Sequence, residues 1–136
     1  MSSIDEWNAR GEGLLPGHLG MVVTAVGDRL VEAQIQVRRE LMAPNGFLHA
    51  GSLLTLADTC AGYGSFNHLP EGAKGFTTLE IKSNHLATAR EGTVLCKASA
   101  VHLGRTTQVW DATVTHAESG RTLALFRCTQ LVLYER

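Results

Sequence analysis

Asp58 is out of keeping with everything around it. It sits in the run His49-Ala50-Gly51-Ser52-Leu53-Leu54-Thr55-Leu56-Ala57-Asp58-Thr59-Cys60-Ala61-Gly62-Tyr63-Gly64-Ser65-Phe66, which holds no other acid and no Lys or Arg to pair with it. A lone carboxylate on a mostly apolar segment costs free energy unless something uses it. Asp58 is therefore the candidate nucleophile or general base. His49 opens the run and Asn45 lies just ahead of it. The free N–H groups and the dipole of a helix starting there favour negative charge. Plainer roles exist for both residues: a hydrogen bond within a subunit interface for Asp58, an N-terminal cap for His49. Cys60, two positions after Asp58, has no base beside it in sequence and reads as buried filler.

The spacing of His49 and Asp58 carries a geometric consequence. Nine residues are roughly 900° of helix, half a turn out of phase, with an axial separation of about 13–14 Å. The two side chains of one chain should not serve the same reacting centre. Two such helices placed side by side across a two-fold axis remove the conflict, and a homodimer supplies that axis.

The elements that must position these residues follow from the pattern of the chain. Residues 3–10 suit a short amphipathic helix with Ile4 and Trp7 on one side. Residues 20–27 are rich in β-formers, Gly27-Asp28 is a turn signal, and 30–37 alternates Val31, Ala33, Ile35 and Val37 with polar residues, so the two segments predict a hairpin. A loop over 40–48 contains Pro44-Asn45-Gly46, and a helix follows from about 50 to 66. Leu53, Leu54, Leu56, Ala57, Cys60 and Ala61 cover most of its circumference, which predicts an enclosed helix. Its internal glycines predict a close approach by something else. Strand-like stretches at 75–86, 92–103, 106–117 and 121–134, separated by turn signals, predict an antiparallel meander. The expected fold class is α+β, with one long central helix against a curved antiparallel sheet of five to six strands in a single domain over residues 1–136, of which 1–12 form a short helical extension.

With 136 residues the chain has room for one core. Its formal net charge of −1 leaves no electrostatic footprint for nucleic acid. Its apolar stretches are too short and too interrupted to predict a membrane span, and residues 1–6 show no secretion signal. Cys60, Cys96 and Cys128 are odd in number and form no CxxC, and the histidines show no metal-like pairing, so neither a disulfide framework nor a metal site is expected. A reduced, cytoplasmic setting is the plain reading.

The segment Asn45-Gly46-Phe47-Leu48-His49-Ala50-Gly51, followed by Asp58 in Leu56-Ala57-Asp58-Thr59, resembles the hotdog-fold acyl-CoA thioesterases of the PaaI (phenylacetate-pathway) type, relatives of the 4-hydroxybenzoyl-CoA thioesterases. The resemblance spans roughly residues 12–134. It implies hydrolysis of an aryl or medium-chain acyl-CoA with no cofactor beyond the coenzyme A of the substrate. It also implies a homodimer with sites at the subunit interface, often paired into a tetramer. In this resemblance Asp58 attacks the thioester carbonyl or deprotonates a water. The N–H of Ala50, with Gly51 close behind, stabilises the oxyanion. His49 and Asn45 orient the carbonyl or the water, and Thr78, with its neighbour Thr77, supplies a strand hydroxyl. Ala50 stands where the family usually has a second glycine, and alanine keeps the donor. Ala43 stands where the family often has Asn or Gln, so either Asn45 takes over the polar role, the favoured expectation, or that role is missing. Arg105, beside Gly104 in a tight turn, is the first candidate for the coenzyme A phosphates, with Arg90 and Arg121 behind it. Tyr63, Phe66, Phe47 and Leu54 are candidates for the acyl pocket. A hotdog-fold hydratase or dehydratase acting on an enoyl or 3-hydroxyacyl thioester, and a non-catalytic acyl-CoA-binding module, are the competing readings.

Overall fold

The computed structural model describes residues 3–135. Helix α1 (Ile4–Ala9) begins at a capping box: the Ser3 hydroxyl accepts from the Glu6 N–H while the Glu6 side chain accepts from the Ser3 N–H. Trp7 is buried, whereas Ile4 is exposed, so only one of the two residues expected on the apolar side is used. The Asn8 side chain accepts from Val23 N–H at 2.7 Å and donates to Val23 C=O at 3.1 Å, which ties α1 to the sheet. A second short helix that the sequence pattern did not suggest, α2 (Leu15–Leu19), has Pro16 in its first turn and ends at Gly20, whose φ is +77°.

Strands β1 (Val22–Gly27) and β2 (Leu30–Gln36) form the expected hairpin, and Val31, Ala33 and Ile35 are buried on one face. A single 3₁₀ turn at Arg39–Leu41 leads into the loop before α3 (Ala50–Asn67). Then come β3 (Gly75–His85), β4 (Thr93–Leu103), β5 (Thr107–His116) and β6 (Thr122–Leu133). The six strands make one antiparallel sheet in the order β1-β2-β4-β5-β6-β3, with α3 packed along it. This is the hotdog arrangement.

The four-strand meander is corrected in one respect. β4, β5 and β6 do run consecutively, but β3 pairs with β6, from Gly75 opposite Leu133 to His85 opposite Ala124. β4 takes β2 instead. Alternation within a strand fixes which face it buries and says nothing about its partner. Here the helix delivers the chain to the far edge of the sheet, and residues 86–92 carry it back to β2.

The central helix buries Leu53, Leu56, Ala57, Cys60, Ala61 and Gly64 against the sheet, a single stripe at helical spacing. The expectation of a helix enclosed on all sides is not met within one chain. Thr55, Asp58, Thr59 and Gly62 are only half-buried, and Phe66 is exposed. A Cβ on Gly64 would lie 2.5 Å from the Trp110 ring, so this glycine is where helix and sheet touch. A Cβ on Gly62 would meet only Phe76 at 3.5 Å, an ordinary contact.

Candidate active site

Asp58 lies where the sheet-facing stripe of α3 gives way to the open face. Its Oδ1 is buried without a hydrogen-bond partner, and burial pushes its carboxyl pKa up. Asp58 also bears on its neighbour across the layer: burial first, and then the charge of Asp58, push the Cys128 thiol up to about 12. Beside the carboxyl opens a cavity of about 270 Å³. Its polar wall is Asp58, Thr59, Thr78 and Gln130, and its apolar wall is Gly62, Tyr63, Phe66 and Phe76. Thr78 and Gln130 are cross-strand partners, which puts both at one level of the sheet. Arg10, from the end of α1, closes the remaining side.

Of the residues singled out in the sequence, Asp58, Thr78, Tyr63 and Phe66 meet in this cavity. Thr77, one residue from Thr78, is exposed and points to the other face of β3. Gln130 and Arg10 were missed. Gln130 has no exposed surface, and both its amide nitrogen and its oxygen lack a partner. In sequence it is one polar residue in an alternating strand, with no local signal. Arg10 lies in an N-terminal extension that sequence pattern gave no reason to fold onto the helix.

The start of α3 is a different environment. His49 is the N-cap, and its Nδ1 accepts the Gly51 N–H at 2.7 Å. An accepting Nδ1 places the proton of the neutral imidazole on Nε2. The Gly51 N–H is thereby spent, and the N–H of the exposed Ala50, at the first helical position, is the donor left free. A Cβ on Gly51 would come within 2.9 Å of His49 Nδ1, so glycine is what lets the ring fold back. Below, Ser52 Oγ donates to Leu41 C=O at 2.8 Å and His49 N–H donates to the same carbonyl at 3.0 Å, which fixes the helix start to the preceding loop. His49, Gly51, Ser52 and Thr55 line a hollow of about 240 Å³ that does not include Asp58. The half-turn phase difference read from the spacing is thus present in the fold.

The loop before His49 borders a third hollow, of about 820 Å³, which gathers Arg38, Arg39 and Arg90 with Met42, Ala43 and Gly46. Arg90 stacks over the Phe47 ring at 4.3 Å, so Phe47 belongs to this side and not to the Asp58 cavity. Arg38 donates to the His18 carbonyl. Asn45 Oδ1 accepts from Phe47 N–H at 3.1 Å and shapes the turn in which Gly46 has φ +86°. Arg105 is exposed on the β4–β5 turn, where its carbonyl accepts from the Tyr134 hydroxyl. A Cβ on Gly104 would lie 2.9 Å from Thr107 O, so this tight turn requires glycine. Cys60 is fully buried, and contact with Cys96 together with burial holds its thiol well above the usual range, which removes it as a nucleophile.

Residues 45–123 match the thioesterase superfamily. The chain is 33% identical to the 1,4-dihydroxy-2-naphthoyl-CoA hydrolase of Escherichia coli over 131 residues, covering 96% of this chain and 95% of that one. It is likewise 33% identical to the enzyme of the same name from Listeria monocytogenes, over 87% of this chain and 94% of that one. A solved thioesterase from Haemophilus influenzae superposes with a TM-score of 0.91 at 30% identity, covering 98% of this chain and 92% of its own. Sequence and topology agree: the chain belongs to the thioesterase superfamily and is a hotdog-fold hydrolase of coenzyme A thioesters.

Proposed function

We propose that this protein is an acyl-CoA thioesterase of the PaaI type, converting an aryl or medium-chain acyl-CoA and water into a carboxylic acid and coenzyme A. Each site is built from two protomers, Asp58 of one facing the α3 start of the other. One observation carries the reading. The only acid on α3 sits on the helix's open face with an unpartnered oxygen beside a cavity, while the helix start opens into a separate hollow of the same chain. Two such chains related by a two-fold axis make two complete sites from four halves. A pair of these dimers is the expected assembly.

In this arrangement the acyl group fills the Asp58 cavity and its carbonyl oxygen meets the Ala50 N–H and the His49 Nε2–H. Asp58, ionised, takes a proton from a water as the water oxygen bonds to the carbonyl carbon, or itself attacks that carbon. Negative charge gathers on the carbonyl oxygen, where the fixed donors act most strongly. The C–S bond then breaks; in the first route the thiolate recovers the proton that Asp58 took, and in the second a water hydrolyses the acyl-aspartyl anhydride, freeing the acid and supplying the proton of the thiol. Thr78 supplies a hydroxyl near the attacking atom. Gly51 seats the His49 ring, and Asn45 holds the loop while its amide nitrogen is left as a donor to the substrate. The phosphates of coenzyme A lie along the arginines beside that loop, Arg90 with Arg38 and Arg39, or at the β4–β5 turn on Gly104 and Arg105. No cofactor enters beyond the coenzyme A of the substrate.

The test is a mixed dimer. D58N and H49A are each expected to lose thiol release from acyl-CoA. Mixed by co-expression, half the dimers are heterodimers with one intact site each, so about a quarter of the wild-type activity returns. No recovery in a verified heterodimer overturns the shared site, and full activity of D58N overturns the role of Asp58. Formation of an absorbing enoyl product from a 3-hydroxyacyl-CoA, without thiol release, would mark a dehydratase instead.

A further inference from the structure

We propose that Arg10 is a specificity-determining residue of the Asp58 cavity, selecting aroyl groups that carry an anionic oxygen substituent, a carboxylate above all, at the ring end remote from the thioester. The proposal rests on the reading that this cavity receives the acyl group.

Three features of the cavity lead there. The first is its size and lining. About 270 Å³ exceeds the ~150 Å³ that encloses a benzene ring, and three aromatic side chains, Tyr63, Phe66 and Phe76, line it. A single substituted ring fits such a space. The second is direction. The polar residues Asp58, Thr78 and Gln130 gather at one end. Phe66 is eight residues further along α3, about 12 Å of helix rise, and it is against Phe66 that Arg10 lies. A thioester at Asp58 therefore points its acyl group toward Arg10.

The third feature is the state of the guanidinium. Its Cζ lies 4.6 Å from the Trp7 ring centroid and 4.2 Å from that of Phe66. Trp7 is anchored, being 1% exposed, and packs edge-on at 6.2 Å to Phe66, which is itself exposed. The two rings stand 83° apart, so the planar guanidinium lies face-on to at most one of them and turns part of its edge to the other, leaving the rest of its five N–H groups unspent. Among the described residues no carboxylate lies within 4.0 Å of Arg10, and its side chain donates no hydrogen bond. Arg10 is thus a pre-oriented fork of donors bordering an aromatic cavity. That fork matches a carboxylate with two parallel hydrogen bonds, and a phenol oxygen less strongly. Because the rings already hold the side chain, little freedom is lost when a ligand arrives.

The experiment measures kcat/KM for thiol release from 4-carboxybenzoyl-CoA, 4-hydroxybenzoyl-CoA, 4-methylbenzoyl-CoA and hexanoyl-CoA with wild type, R10M and R10K. The wild type is expected to prefer 4-carboxybenzoyl-CoA over the 4-methyl compound, of similar shape, by about tenfold to a hundredfold, as a charge-assisted hydrogen bond allows. R10M should collapse that ratio to near one, and R10K should keep part of it. A merely structural Arg10 would lower all four substrates together and leave the ratio intact. Equal or better use of the 4-methyl or hexanoyl compound by wild type, or an unchanged ratio in R10M, overturns the proposal while leaving the thioesterase reading standing. Absence of thiol release from every acyl-CoA overturns the reading itself.

Discussion

The middle of α3 and its beginning do opposite things with polar groups. At Asp58 a side chain is desolvated, its Oδ1 unpartnered, and its proton affinity raised. At Ala50 the group on offer is a backbone N–H, presented on an exposed helix end whose neighbours Gly51 and Ser52 are tied down. The first region depends on which side chain is present, and the second on how the backbone is held. Substitutions should therefore act differently on the two, and that difference can be tested.

The largest effect is expected at Asp58. D58N keeps the shape and removes the proposed base, and kcat should fall by about 10²–10⁴ in a thiol-release assay. The same variant carries a stability signature. The folded-state pKa of Asp58 lies above its unfolded value, so the folded protein favours the protonated form. Ionisation as pH rises from the unfolded value through the folded one therefore removes stability, and stability returns as pH falls. D58N, which cannot ionise, should melt above the wild type at pH 7 and lose that advantage below about pH 3, where both side chains are neutral. Equal midpoints at pH 7 would show that the carboxylate is well solvated and that the contrast between the regions fails. On the proposed mechanism, in which Asp58 acts ionised, the pH profile of kcat/KM should rise through an apparent pKa above the usual aspartate value.

At the helix start only geometry matters. G51A places a methyl against His49 Nδ1 and should displace the ring, with a loss of about 10–10² in kcat while folding is kept. A50G retains the N–H and should change kcat by about twofold or less. A large loss in A50G would mean that the side chain, not the backbone, does the work there. Along the same helix the glycines should divide in stability. G64A drives a methyl into Trp110 and should cost about 1–3 kcal/mol in denaturant unfolding, whereas G62A meets only ordinary contact and should gain up to about 1 kcal/mol from helix propensity. Gln130 gives a similarly small effect. Q130M removes two unpartnered buried atoms at similar volume and should raise the melting midpoint by a few degrees, about 1 kcal/mol.

Asp58, the helix around it and the strands with their buried faces were legible because each is written in local spacing. An acid among apolar residues, a nine-residue step on a 3.6-residue helix, and alternation along a strand need no knowledge of the rest of the chain. The loop before His49 was legible in the same way, through Asn45-Gly46. The internal glycines announced a close approach, but which one made it was hidden, because the partner of Gly64 is Trp110, 46 positions away.

What the sequence by itself determined is the isolated acid Asp58 as the candidate carboxylate, the class of fold, and the half-turn phase difference that sets Asp58 apart from the start of its own helix. Tertiary structure alone decided that β3 lies beside β6, that Trp7 and Arg10 fold back over Phe66, that Gln130 borders the cavity, and that Arg38, Arg39 and Arg90 share one hollow. The physical reason is the range of the interactions. Helix phase and strand alternation are set by hydrogen bonds and steric limits within a few residues. The choice of a distant partner is set by the burial that remains after all elements have docked, and no local pattern records it.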